Sequence, residues 1–585
     1  MNRVALAFSC LYLATFAGPA HAQTSDERLL RLFDQAWEYA LSQDPLHATS
    51  VGDHRFNDQL PEVSIAANLD RLAQKKLILE KLHAIARDDL SAQHQTNFDI
   101  FDLMLNDELT NGKFLAYLIP ITNRSGFHIS FPEIRDRVPL KTVADYENYI
   151  KRLAAFRKYA TGHIDVMREG IAAGHTLPSV VLEGFREPIE THIVDDPTKS
   201  LMYEPFRKMP ESFSDRDQEQ LRSAGAAAIR EGVVAGYRDF LEFMTKEYVP
   251  AARGSIGASA LPNGREYYRF CVRKFTTLDV APEQVHQTGL SEVKRIRNEM
   301  EAIKKKVKFE GDLSAFMDSL RKDPRFHPTS PEHLMKEVAF ALKQIDGRLP
   351  ELFNTLPRTP YGIRPIPDYI APRTTTAYYM PPPGDGSLAG FYYVNTYDLK
   401  SRPLYEVEAL SLHEAVPGHH LQIALQQELE GVPNFRRFAG FTVFIEGWAL
   451  YAERLGLEVG FYEDPYSDFG RLTYEMWRAC RLVVDTGMHY LGWTRQQAID
   501  FMAENTALSL HNIRSEVDRY IAWPGQALAY KTGELKIREL RARAESELGD
   551  RFDVRSFHDT VLMQGSIPLT ILERTVDQWI AEQKK

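Results

Sequence analysis

The sequence predicts a mainly α protein: a large multi-helix chain in two lobes, with a small antiparallel β insert just before a histidine-rich segment. Three observations lead there. The chain has 585 residues, more than one hydrophobic core accommodates. Apolar residues recur at helical spacing through most of its length. Between 356 and 398 that spacing stops, and proline, aromatic and β-branched residues take over. Apolar residues make up 44% and charged residues 26% of the chain, as in ordinary globular proteins. The net charge of −10 opposes any general affinity for nucleic acid or for an anionic membrane.

The first element is the N-terminal "MNRVALAFSCLYLATFAGPAHAQTSDE". Arg3 precedes an apolar run from Val4 to Ala17 that is too short to span ~30 Å of bilayer hydrocarbon. Ala20-His21-Ala22 then offers a small-x-small cleavage site, so residues 1–22 read as a signal peptide cut after Ala22. Cys10 lies inside the apolar run, which argues against a lipid anchor, and nothing later resembles a membrane span. The expected location is a bacterial periplasm or beyond. Of the cysteines only Cys271 and Cys480 follow the cut; they read either as one disulfide or as two buried free thiols.

Helices follow in order. "ERLLRLFDQAWEYALSQDP" sets Leu29, Leu30, Phe33, Trp37 and Leu41 on one stripe and ends at Asp44-Pro45. "NLDRLAQKKLILEKLHAIA" repeats the periodicity, and further helices are expected at 144–171, 216–246, 282–306 and 331–346. Interruptions rich in Pro, Gly and polar residues divide the chain into an N-terminal helical lobe, 23–260, and a C-terminal helical lobe, 261–585. In the proline-rich stretch, Tyr378-Tyr379 and Phe391 to Asn395 read as strands joined across a Pro-Gly turn at 381–386. "GSLAGFYYVNTYDL" is either a plain hairpin or an edge strand able to pair with an extended peptide.

The stretch "SLHEAVPGHHLQIA", residues 411–424, carries the chemistry. Zinc hydrolases place two histidines four apart on one helix face, but here the fourth position is Pro417. In a straight helix His420 would share the face of His413 yet sit ~10 Å further along, too far for one ion with bonds of ~2.0–2.1 Å. Pro417 would clash with the carbonyl of His413, however, and Gly418 adds freedom. A detour at 416–418 can therefore return His419 or His420 to the face carrying His413 and Glu414; the spacing leaves both open. A third ligand is expected from "GFTVFIEGWALYAERLGLEVG", where Glu446 and Glu453 share a face of an apolar helix and are costly to bury without a partner.

"HEAVPGHHLQ", "EGWALYAERL" and "EVDRYIAWPGQALAYKTG" together resemble the bacterial family catalogued as domain of unknown function 885, whose members are similar to zinc metallopeptidases of the gluzincin type. The resemblance runs through most of the mature chain. It implies His413, His419 and Glu446 as ligands of one zinc ion per chain, Glu414 as general base and His420 as a neighbour that faces substrate or supports the ligands. It also implies water activated by the metal and oxyanion donors downstream. His489 and Tyr520 are the candidates, and Arg519 can hold a substrate carboxylate. Each has a plainer reading: His489 packs beneath a helix, Tyr520 is a core aromatic, and Arg519 is an ion-pair partner of Glu516 or Asp518.

The expected function is thus an exported zinc metallopeptidase acting on oligopeptides. The alternatives are an inactive periplasmic peptide-binding or scaffolding protein, and a metal-dependent hydrolase of non-peptide amides or esters. Other catalytic sets are missing: the sequence has no G-x-S-x-G elbow before a helix, no phosphate-binding G-x-x-x-x-G-K-[ST] loop and no C-x-x-C pair. His128, His286 and His511 read as structural.

Overall fold

The computed structural model describes residues 24–585, Tyr369 apart; the expected signal peptide lies outside the described residues. The chain is mainly helical. α1 (Ser25–Gln43) starts with a reciprocal capping box between Thr24 and Glu27, and Asp44 caps the turn that follows. Leu29, Phe33 and Leu41 enter the core, whereas Leu30 remains 36% exposed, because its neighbour at one residue's rotation already occupies the buried face. The remaining expected helices stand close to their predicted limits: α2 (Ile65–His83), α3 (Val143–Ala172), α4 (Asp215–Ala228), α5 (Pro282–Lys306) and α6 (Pro331–Asp346). The segment after α4 stays helical to Tyr248 through two stretches of wider turn, Ile229–Val234 and Met244–Tyr248.

The proline-rich stretch forms β1 (Tyr361–Pro365), β2 (Ala377–Met380) and β3 (Gly390–Val394) in the order β1-β3-β2. β2 and β3 make the expected antiparallel pair, with Tyr379 opposite Tyr392. β1 adds a strand that the periodicity did not show and pairs in parallel, Tyr361 opposite Gly390, so the sheet is mixed. β3 is therefore central and both its edges are paired. The reading of 386–399 as an open edge strand is corrected: the edges belong to β1 and β2.

Buried apolar side chains from Leu29 to Ile580 form one connected core that draws on residues either side of 260. A smaller cluster gathers Ala258, Tyr268, Cys271 and Leu528. Cys271 and Cys480 are both buried and free, so no disulfide joins them. Among the described residues no helix is long and apolar enough to cross a membrane.

The C-terminal helices that frame the site are α7 (Val407–Glu414), α8 (His419–Gln427), α9 (Thr442–Leu455), α10 (Pro465–His489), α11 (Leu510–Ala522) and α12 (Ala529–Leu548). α9 and α12 touch backbone to backbone. A Cβ on Gly447 would lie 2.5 Å from the Gly533 Cα, and one on Gly533 would lie 2.0 Å from the Val443 carbonyl. That approach seats α9 deep in the core and carries Glu446 inward with it.

Candidate metal centre

α7 ends at Glu414, the Val416–Pro417 peptide is cis, and α8 begins at His419. The break occurs where proline chemistry places it, since a continuing helix would drive the Pro417 ring into the His413 carbonyl. Gly418 is required at the bend by crowding: a Cβ there would stand 2.0 Å from the His413 carbonyl oxygen and 2.4 Å from that of Leu412. The Trp448 indole N–H of α9 donates to the Pro417 carbonyl at 2.8 Å, and the His420 N–H donates to the Ala415 carbonyl at 3.0 Å. The bend is thereby fixed from both sides.

The result is that the His413 and His419 rings meet nearly perpendicular, 4.8 Å between centroids. Glu446 Oε2 lies 3.6 Å from His413 Nε2 and 3.4 Å from His419 Nε2. Bonds of ~2.1 Å at tetrahedral angles place donor atoms ~3.4 Å apart, so these spacings suit a single small divalent cation. Glu446 Oε2 is buried and has no hydrogen-bond partner. A buried carboxylate oxygen left in this way calls for a cation, and the donor set of two imidazoles and a carboxylate is one that zinc accepts.

A further carboxylate supports the ligands. His413 Nδ1 and Glu453 Oε1 are 2.7 Å apart, with both side chains almost fully enclosed. The N–H donated there turns Nε2 toward Glu446 and His419. The same Glu453 oxygen faces Arg478 Nη2 at 3.7 Å. Burial alone would lower the His413 pKa, but Glu446 and Glu453 outweigh it and hold it up at about 9. Glu446 is likewise held well below the usual carboxylate range: burial opposes this, and the His419 and His413 imidazoles prevail. The pocket thus favours positive charge. Glu414, next to His413, is 8% exposed at the last turn of α7. Among the described residues its carboxylate is in no hydrogen bond or ion pair, which leaves it available to take a proton.

A family profile described as "Bacterial protein of unknown function (DUF885)" matches residues 45–576. The chain belongs to that family. A crystal structure of "the putative lipoprotein from Colwellia psychrerythraea" is 29% identical to this DUF885 chain, covering 96% of it and 100% of its own length, with a TM-score of 0.90. A second, of "a putative lipoprotein of unknown function from Shewanella oneidensis", is 18% identical over 94% of this chain and 99% of its own, with a TM-score of 0.69, and shows the shared fold. No curated protein matches.

Other residues singled out in the DUF885 sequence take different positions. His420 points away from the ligands: its Nε2–H donates to the Thr359 carbonyl at 3.1 Å, and its Nδ1 accepts from the Tyr379 hydroxyl at 2.8 Å. Burial lowers its pKa to about 4. It fastens the bend to the sheet, and the substrate-facing role is corrected. His489 accepts from the Ala258 N–H at 2.9 Å and donates to the Tyr520 carbonyl at 3.0 Å, so neither nitrogen is left for an oxyanion. The Tyr520 hydroxyl oxygen accepts from Trp477 and Arg481, each at 2.8 Å. His489 is therefore structural, whereas the Tyr520 hydroxyl, though buried, keeps its own O–H proton. Arg519 stands 3.3 Å from Glu516 and donates to Gln526 Oε1 at 3.0 Å, while Asp518 pairs with Arg495 instead.

Two features escaped the sequence reading. Tyr530 stacks on His413, 6.5 Å between centroids and 13° between planes. Arg478 and Arg481 of α10 pack against it, the Arg481 guanidinium 4.2 Å from the ring centroid. Two arginines three apart in the apolar run "EMWRACRLVV" were the available signal, by the same argument that drew attention to Glu446.

Proposed function

We propose that this protein is an exported metallopeptidase that hydrolyses oligopeptides. The observation that carries the reading is the unpartnered, buried Glu446 oxygen held between two imidazole nitrogens, with Glu414 adjacent and unpaired. His413, His419 and Glu446 would hold the ion. Zinc bound there supplies a Lewis acid and lowers the pKa of water toward ~7. Glu414 receives the proton of the attacking water and passes it to the departing amine. Glu453 keeps His413 in the tautomer that presents Nε2, and the enclosing helices exclude bulk water from the carboxylates. A site that only binds metal has no use for a free carboxylate at Glu414, which favours a hydrolase over an inactive binding protein. Export is supported by the apolar run at residues 4–17.

The test is cleavage of a defined oligopeptide mixture, followed by mass spectrometry, with zinc-reconstituted wild type and Glu414→Gln. The wild type cleaves, and the variant loses ~10²–10⁴-fold in rate while retaining metal. Equal rates would remove Glu414 from the mechanism; no cleavage by the wild type would favour a binding protein.

A further inference from the structure

A group of arginines surrounds the far side of Tyr530. Glu516 of α11 is enclosed, and three guanidinium groups converge on it: Arg124 Nη1 at 2.9 Å, Arg481 Nη2 at 3.1 Å and Arg519 Nε at 3.3 Å. Nearby acids are committed elsewhere. Asp518 pairs with Arg495, Glu453 with His413, and Asp485 accepts from the Tyr268 hydroxyl and the Gly525 N–H. One carboxylate thus faces three cations. Buried charge is retained where it is paired; Asp485 also acts on Arg519, and the three cations still outnumber these two carboxylates. Arg481 Nη1 is also buried without a hydrogen-bond partner.

The group is close to the metal ligands and reachable from solvent. Arg481 lies 4.2 Å from the Tyr530 ring centroid, and that ring lies 6.5 Å from His413. Arg481 and His413 thus lie on either side of the Tyr530 ring, a separation that about three residues of an extended peptide cover at ~3.3–3.6 Å each. Arg124 lines a cavity of about 430 Å³ and a second of about 420 Å³, which also share Thr374; Ser515, beside Glu516, lines the second. Arg519 and Arg124 keep 15% and 18% of their side chains exposed, the only members of the group with that freedom.

We propose that this arginine group, with Arg519 and Arg124 at its accessible side, binds the free C-terminal carboxylate of a peptide substrate. The protein is then a carboxy-directed exopeptidase that releases a short C-terminal fragment. The proposal rests on the peptidase reading. Water adds its oxygen to the scissile carbonyl carbon, the C–N bond breaks, the departing amine takes the proton, and the fragment leaves with its own carboxylate intact. Arg519 acts on the substrate terminus, so its loss appears chiefly in KM.

The test uses one peptide in two forms, C-terminal acid and C-terminal amide, with the zinc-reconstituted full chain. The wild type is expected to show ~10²-fold higher kcat/KM for the acid and to release one to three C-terminal residues. Arg519→Met and the milder Arg519→Lys narrow the acid-to-amide ratio, an effect that a purely structural arginine would not have. Affinity of the Glu414→Gln variant for the two forms reads the same preference without turnover. Equal kcat/KM for acid and amide in the wild type overturns the carboxylate subsite and leaves the peptidase reading standing. Cleavage of neither form overturns the peptidase reading, and the acid-to-amide ratio of Kd values then decides the subsite alone.

Discussion

Replacing Glu453 by glutamine removes one charge from beside His413 while keeping the shape of the side chain. In the native site the Nδ1···Oε1 distance is 2.7 Å and both side chains are at least 97% enclosed, so no water can substitute. Glutamine still accepts the N–H through its amide oxygen, and ring orientation is preserved. What is lost is electrostatic. A unit charge ~6 Å from a divalent ion, at an effective dielectric of ~20, contributes on the order of 2–3 kcal/mol per unit of metal charge before solvent and protein relaxation. Removing partners of this kind typically lowers metal affinity 10–100-fold, or ~1.4–2.7 kcal/mol. The upper half of that range is expected here because the pair is dry. Zinc Kd is measured at pH 7.5 by competition with a chromophoric chelator, with thermal melting as a control for folding. A folded variant whose Kd is within twofold of wild type would refute the claim that Glu453 supports a metal-bound His413.

Two further outcomes follow from the geometry. Burial lowers the pKa of His163, His192 and His489 to about 4, and that of His128 and His558 to about 3. Unfolded imidazoles titrate near ~6.5, so the unfolded chain binds the extra protons as pH falls. Stability is full above ~6.5 and is lost from there down to ~4 for the first three and ~3 for the other two, by about 2 kcal/mol per buried imidazole at pH 5; a thermal midpoint unchanged between pH 7.5 and 5 would contradict this. Gly418→Ala forces a Cβ to within 2.0 Å of the His413 carbonyl, so the bend must shift. Zinc affinity is then expected to fall at least ~10-fold, and wild-type affinity in a folded Gly418→Ala protein would show that the bend tolerates displacement.

The helical limits and the grouping of His413 with Glu446 were legible for the same reason: both rest on local chemistry. Repeating apolar spacing locates α3, α5 and α6 within a residue or two, and Pro417 with Gly418 forces a break wherever the rest of the chain goes. A buried glutamate in an apolar helix is costly, which pointed to Glu446. Choosing His419 over His420 required the path of the bend, which depends on Trp448, Gly447 and Gly533 closing α9 against its neighbours. The parallel pairing of β1 is likewise invisible to period-two patterning, because it is decided by which strand the chain returns to. His489 misled because both its ring nitrogens are satisfied by backbone groups 31 and 231 residues away in sequence. Glu453 was marked as a costly buried acid, but its partner His413 lies 40 residues earlier and emerges only when α7 meets α9.

The central claim is tested most directly by the metal content of the purified protein after zinc reconstitution and gel filtration. Wild type should retain one equivalent; His413→Ala, His419→Ala and Glu446→Ala should retain little, and His420→Ala should retain it. An equivalent kept by folded His419→Ala, or no metal held by wild type at all, would contradict the account.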